Sequence, residues 1–170
     1  RTAVAVHWAS SPGAFDPPAS VLQKTTMNLI DMVVGDVDGD ALADIALSDS
    51  RSSAITIVRG KGTRSFESPE TVSLPEASQT VGLADLDGDG LVDMVVTLAG
   101  GLSALAFLNQ NPAGFGEGVP YWTGIDASAQ RLADLDLDGA LDLIAFSSSK
   151  ATILFGNKAP SRDFRRGDAD

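Results

Sequence analysis

At 170 residues, 44% apolar and 21% charged, the chain has the size and composition of one mid-sized folded domain rather than a disordered segment. Twelve basic against 23 acidic side chains leave a net charge of −11, which argues against nucleic acid and anionic lipid as partners. The absence of cysteine excludes disulfides and thiolate chemistry, and no apolar run approaches the ~18 residues of a membrane span, so no membrane insertion is expected.

The chain opens at Arg1 without a charged-then-apolar leader, which reads as a processed product or an excised piece. Of its acids 19 are aspartate and only four glutamate. Aspartate favours turns and ion-binding loops over helical surfaces. With 17 glycines, eight prolines and many β-branched residues, the expectation is an all-β chain rich in loops.

In chain order, residues 1–22 read as the third and fourth strands of a first unit, the last of them running from Pro17 to Leu22. Two whole units follow, near 29–74 and 79–124, and residues 128–157 supply the first three strands of another. Each unit has an apolar run, an aspartate cluster, a second apolar run, a strand-like third run and a Gly/Asn/Pro/Ser turn closed by phenylalanine. The clusters beginning at Asp36, Asp85 and Asp134 are 49 residues apart, as are Phe66, Phe115 and Phe164; Phe15 fits with a two-residue slip. Fourth runs at Pro69–Leu74 and Gly118–Thr123 carry proline or glycine, which suits the edge of a sheet. Four short strands per ~40–50 residues is the pattern of β-propeller blades. The expected organisation is two complete blades and two partial ones across residues 1–158, with a linker over 159–170. Either a larger propeller contains this chain, or copies complete one another as a homo-oligomer, residues 1–22 of one finishing the blade begun by 128–157 of another.

The aspartate loops carry the chemistry. Carboxylates at positions 1, 3 and 5 of a tight loop converge, and a main-chain carbonyl at position 7 and an aspartate at position 9 complete an oxygen cage. Hard oxygen donors in a flexible loop select calcium. In the first loop these positions are Asp36, Asp38, Asp40, Leu42 and Asp44; in the second, Asp85, Asp87, Asp89, Leu91 and Asp93; in the third, Asp134, Asp136, Asp138, Ala140 and Asp142. Two carboxylates about 4 Å apart repel by roughly 4 kcal/mol at an effective dielectric of 20, so such loops without a cation are unfavourable. Three calcium ions, one per loop, are the expected cofactors. A helix–loop–helix calcium hand needs glutamate at position 12, where this chain has Leu47, Val96 and Ala145.

These loops resemble the Asp-x-Asp-Gly-Asp-Gly-x-x-Asp hairpin of FG-GAP/VCBS repeats in integrin-like propellers. The resemblance covers residues 2–158 and implies calcium held by those aspartates between the first two strands of each blade. Leu137 replaces the position-4 glycine of the third loop and Ala41 the position-6 glycine of the first, departures expected to strain those turns. The tail, Ser161 to Asp170, resembles the entry to a dockerin-like calcium segment, with Asp168 and Asp170 as its first ligands. Arg166-Gly167-Asp168 spells an integrin-recognition tripeptide, which three residues match by chance often enough to carry no weight.

No nucleophile-elbow, zinc-protease or phosphate-loop motif occurs, so the chain is expected not to be an enzyme. The single histidine, His7, reads as a strand residue, and Tyr121 and Trp122 as packing between blades rather than as a sugar platform. The expected function is a calcium-binding module of an extracellular or cell-surface protein, serving adhesion or ligand binding toward a protein or glycan. The alternative is an accessory or carbohydrate-binding propeller module of a secreted polysaccharide-degrading enzyme.

Overall fold

The computed structural model describes residues 2–24, 27–157 and 165–166. Among them every regular element is a β-strand. Strands β1 (Thr2–Val6) and β4 (Ala19–Lys24) pair antiparallel as a two-stranded sheet. The segment between them folds into a short hairpin, β2 (Ala9–Ser11) with β3 (Ala14–Phe15). Next come β5 (Leu29–Gly35), β6 (Asp44–Asp49), β7 (Ala54–Val58) and β8 (Glu70–Ser73), side by side in chain order. Strands β9 (Ser78–Ala84), β10 (Asp93–Leu98), β11 (Ser103–Phe107) and β12 (Val119–Trp122) repeat the arrangement. A third four-stranded sheet joins β13 (Ala129–Ala133), β14 (Asp142–Phe146), β15 (Ala151–Phe155) and β16 (Arg165–Arg166).

The fold class read from the repeat holds: these are antiparallel, propeller-like blades in series, and the described residues do not close a ring. The outermost place of β12 accommodates Pro120 opposite Leu105, since a proline without an N–H is tolerated where one side of the strand is free. One expectation is corrected. The last unit has a fourth strand, because Arg165 and Arg166 pair with Phe155 and Leu154. Two charged residues show no alternation, so nothing in the sequence marked them as a strand. Phe164, Asp168 and Asp170, and with them the dockerin-like reading, lie outside the described residues.

The core lies between sheets, and the period-2 alternation of each strand assigns one face to the preceding blade and one to the following. Ala46, Ile55 and Ile57 of one sheet meet Val81, Met94 and Val96 of the next. Val95, Ala104 and Ala106 then meet Leu143 and Leu154. On the other side, Ile45, Leu47 and Val58 pack with Val4 and Val6. The units therefore stack through the same strand positions each time. The innermost strands show what happens where a neighbour is missing. Val81 is only 4% exposed beneath the preceding sheet, whereas its counterpart Met32 is 54% exposed and Val34 56%. Strands β1 and β4 stand at the third and fourth places of their unit, so no inner pair covers Met32 and Val34 among the described residues.

The repeated phenylalanines do not behave alike. Phe66 and Phe115 bridge Gly60 and Asn109 and pack into the core, but Phe15 is exposed in β3. His7 lies just beyond the end of β1, its Nδ1 3.1 Å from the carbonyl of Asp16. Tyr121 packs between blades as expected; Trp122 does not, and is 59% exposed.

Candidate metal centres

Each aspartate loop joins the first two strands of its sheet, at 36–44, 85–93 and 134–142. The loop turns because positions 4 and 6 adopt a left-handed backbone. Position 4 has φ of 78° at Gly39 and 79° at Gly88, and position 6 has 88° at Gly90 and 86° at Gly139. The two departures follow the same path: Leu137 has φ 62° and Ala41 φ 66°. The strain expected there is real, since a side chain in this region costs about 1–2 kcal/mol. Leu137 also points its apolar side chain to solvent.

Around that turn the main chain addresses the carboxylates in a repeated code. The position-1 aspartate accepts the position-6 N–H in every loop, from Ala41 to Asp36 at 2.8 Å, Gly90 to Asp85 at 3.0 Å and Gly139 to Asp134 at 3.0 Å. The position-5 aspartate accepts from position 7 at 2.8 Å in all three, Leu42 to Asp40, Leu91 to Asp89 and Ala140 to Asp138. Burial works against ionisation of Asp36, but N–H groups of Ala41, Gly39, Asp38 and Asp40 outweigh it and hold its pKa below the ordinary value.

The position-9 aspartates, Asp44, Asp93 and Asp142, are fully buried. Each uses one oxygen to accept the position-2 N–H and the other to accept an N–H just beyond the third strand. For Asp44 the donors are Val37 at 2.8 Å and Gly60 at 2.7 Å; for Asp93, Leu86 at 2.8 Å and Asn109 at 2.7 Å; for Asp142, Leu135 at 2.7 Å and Gly156 at 2.9 Å. These residues staple the loop to the far end of strand three. Burial pushes the Asp44 and Asp93 carboxyls up; the two hydrogen bonds oppose it, and the charges of Asp38 with Asp40, or Asp87 with Asp89, add to it.

Carboxylate oxygens converge in every loop. Those of Asp36, Asp38 and Asp40 lie within 4.8 Å of one another, as do those of Asp85, Asp87 and Asp93, and of Asp134, Asp136 and Asp142. The sequence reading grouped four aspartates per loop; the trios differ, with position 5 in the first and position 9 in the others. The donor set fits a hard cation, being all carboxylate oxygen. So does Asp134 Oδ1, a buried oxygen without a hydrogen-bond partner. In the third loop position 4 is Leu137, and the N–H that Gly39 and Gly88 give to Asp36 and Asp85 at 2.7 Å has no counterpart there. The first loop has its own modifier, the Arg59 guanidinium, 3.5 Å from Asp38 and 2.7 Å from Glu70.

Sequence reasoning missed Asn109 and Asn111. Both lie in the turn after β11, yet their side chains reach the loop of the preceding sheet. Asn109 Nδ2 donates to the Val37 carbonyl at 2.7 Å and to that of Val92 at 2.9 Å, and Asn111 Nδ2 donates to the Asp38 carbonyl. The signal was a break in the repeat, for Gly60 and Gly156 occupy the place of Asn109 in the flanking sheets.

Two comparisons bear on this arrangement. No curated protein matches the chain. The family model of the FG-GAP-like repeat matches residues 36–96, from the first aspartate of one loop into the strand that follows the second. The match takes in the aspartate loops at 36–44 and 85–93, and over that span the chain is similar to the FG-GAP-like repeat; the third loop, 134–142, lies outside the match but holds the same place between the first two strands of a four-stranded sheet.

Proposed function

We propose that the chain is a calcium-stabilised, non-enzymatic propeller module of an extracellular or cell-surface protein, serving adhesion or ligand binding. The convergence of three carboxylates in each of three loops, with positions 1 and 3 common to all, carries this reading. The side-chain donors are Asp36, Asp38, Asp40 and Asp44; Asp85, Asp87, Asp89 and Asp93; and Asp134, Asp136, Asp138 and Asp142, with the carbonyls of Leu42, Leu91 and Ala140 completing the cages. When bound, calcium neutralises clustered carboxylates that otherwise repel. This chain's own residues form the turn, hold the carboxylates toward one centre and anchor each loop to strand three. Such cages commonly bind at ~10⁻⁴ to 10⁻³ M outside cells, which supports an extracellular setting.

Titration of calcium chloride into the metal-free chain, followed by calorimetry, tests the reading. Uptake of about three ions is expected, and Asp89→Ala or Asp138→Ala should each remove one. No heat at millimolar calcium would overturn it. The carbohydrate-binding alternative gains from one observation, the exposure of Trp122 on the outermost strand β12, because such a ring offers a stacking face. A glycan array separates the two: retention on a glycan abolished by Trp122→Ala favours the alternative. The uncovered faces of Met32 with Val34, and of Ile153 on the last sheet, suit further blades of the same kind, from a longer polypeptide or a second copy. Exchange of residues 1–22 between copies is the less suitable arrangement, since β16 already takes the fourth place of the last sheet.

A further inference from the structure

We propose that Asn109 couples the first and second aspartate loops, so that a cation in either raises the affinity of the other, while the third loop binds independently. The inference rests on the calcium reading above and adds to it a linkage between sites.

The connection runs from carboxylate to carboxylate. Asp93 of the second loop accepts the Asn109 N–H at 2.7 Å. The Asn109 side chain donates to the Val37 carbonyl at 2.7 Å, and the Val37 N–H donates to Asp44 of the first loop at 2.8 Å. Val37 sits between Asp36 and Asp38, two of the three converging residues of that loop. Asn109 has no freedom to adjust. It is buried, its second N–H is held by the Val92 carbonyl, and its oxygen accepts the Asn111 N–H at 3.1 Å. Asn111 adds a second grip on the same segment through the carbonyl of Asp38. One rigid group of peptides is therefore shared by both loops. A cation that pulls on Asp93 shifts this rigid group as a unit, and through it Val37 with the flanking Asp36 and Asp38, so the second cation meets carboxylates already brought together. By linkage the effect is reciprocal.

The other junction supplies the internal control. Between the second and third loops, the place of Asn109 is taken by Gly156, which has no side chain to reach back to Leu86, the counterpart of Val37. None fits there, since a Cβ at Gly156 would stand 2.3 Å from the carbonyl of Leu141. The side-chain tie at that junction, Gln130 to the Val95 carbonyl at 2.8 Å, lands in mid-strand and touches no aspartate loop.

The test is calorimetric titration of calcium chloride into the full chain carrying one emptied loop. Asp136→Asn leaves loops one and two, and binding should show a cooperativity factor of about five or more. Asp87→Asn leaves loops one and three, and the factor should stay near one. Adding Asn109→Ala to the first variant keeps the main-chain bond to Asp93 and should bring the factor to about one. A factor near one in Asp136→Asn, an equal factor in Asp87→Asn, or cooperativity that survives Asn109→Ala in a protein folded by circular dichroism would overturn the proposal. The comparison of the two loop variants stands even where Asn109→Ala fails to fold. Absence of calcium uptake in every variant, and in the parent chain, would instead overturn the calcium reading itself.

Discussion

At the scale of single residues, the aspartates of one loop differ in kind. Asp93 is buried and accepts from two main-chain donors, Asn109 in a buried bond and Leu86 in a partly buried one. Asp89 is exposed and accepts the N–H of Leu91 within its own loop. Each buried donor left without a partner costs about 1–3 kcal/mol, so Asp93→Ala should destabilise the chain by about 2–6 kcal/mol with or without calcium. Asp89→Ala should cost about 0.5 kcal/mol or less in chelator and show its effect only when calcium is present. Urea unfolding of both variants in chelator checks this, and equal losses would show that position 9 has no separate structural role. The spacing of these acids was legible in the sequence because it recurs with a fixed period. The staple was not, because its second donor lies 14 to 16 residues away, past a strand and a turn. Nor could spacing reveal which three carboxylates converge, since that depends on side-chain direction around a left-handed turn.

Among the elements, what the period carries was legible and what lies outside it was not. The strands of the two complete units fall where apolar runs flank the loops, and each loop lies between the first two strands. The β2–β3 hairpin follows the repeat, Ala9 standing opposite Phe15 as Gly60 does opposite Phe66 and Asn109 opposite Phe115, whereas β16 is too short to show alternation. Burial also depends on neighbours that a repeat cannot show. Ile57 and Ile153 occupy the same ladder position, opposite Ala46 and Ile144, but Ile57 is fully buried under the next sheet and Ile153 is 36% exposed. Ile57→Ala should therefore cost about 2–5 kcal/mol through lost contacts and a cavity. Ile153→Ala should cost about 1 kcal/mol or less, because its methylenes are already partly in water. Equilibrium unfolding of the two variants decides it, and similar losses would mean that the last sheet is covered in solution by something that packs like a further blade.

For the whole molecule the dominant quantity is charge. The net −11 is concentrated in loops where carboxylates stand within 4.8 Å of each other, so the metal-free chain carries its worst repulsion at three points. Three calcium ions would bring the net charge to about −5 and remove that repulsion where it is strongest. With free calcium ten- to a hundred-fold above the dissociation constant, mass action adds about 1.4–2.7 kcal/mol per loop. The total, about 4–8 kcal/mol, is comparable to the entire net stability of an ordinary domain. For a chain of this size about 2–4 °C of midpoint follows each kcal/mol, so excess calcium should raise the melting temperature by about 8–30 °C over chelator. The rise should shrink by about a third when one loop is emptied by Asp138→Ala. High sodium chloride should not reproduce it, because screening weakens repulsion between exposed charges but does not supply a ligand for the Asp134 oxygen left unpartnered in the third loop. A midpoint that moves by less than a few degrees on adding calcium, or moves equally with salt, would show that the loops are not structural ion sites and that the three sheets hold together by their apolar faces alone.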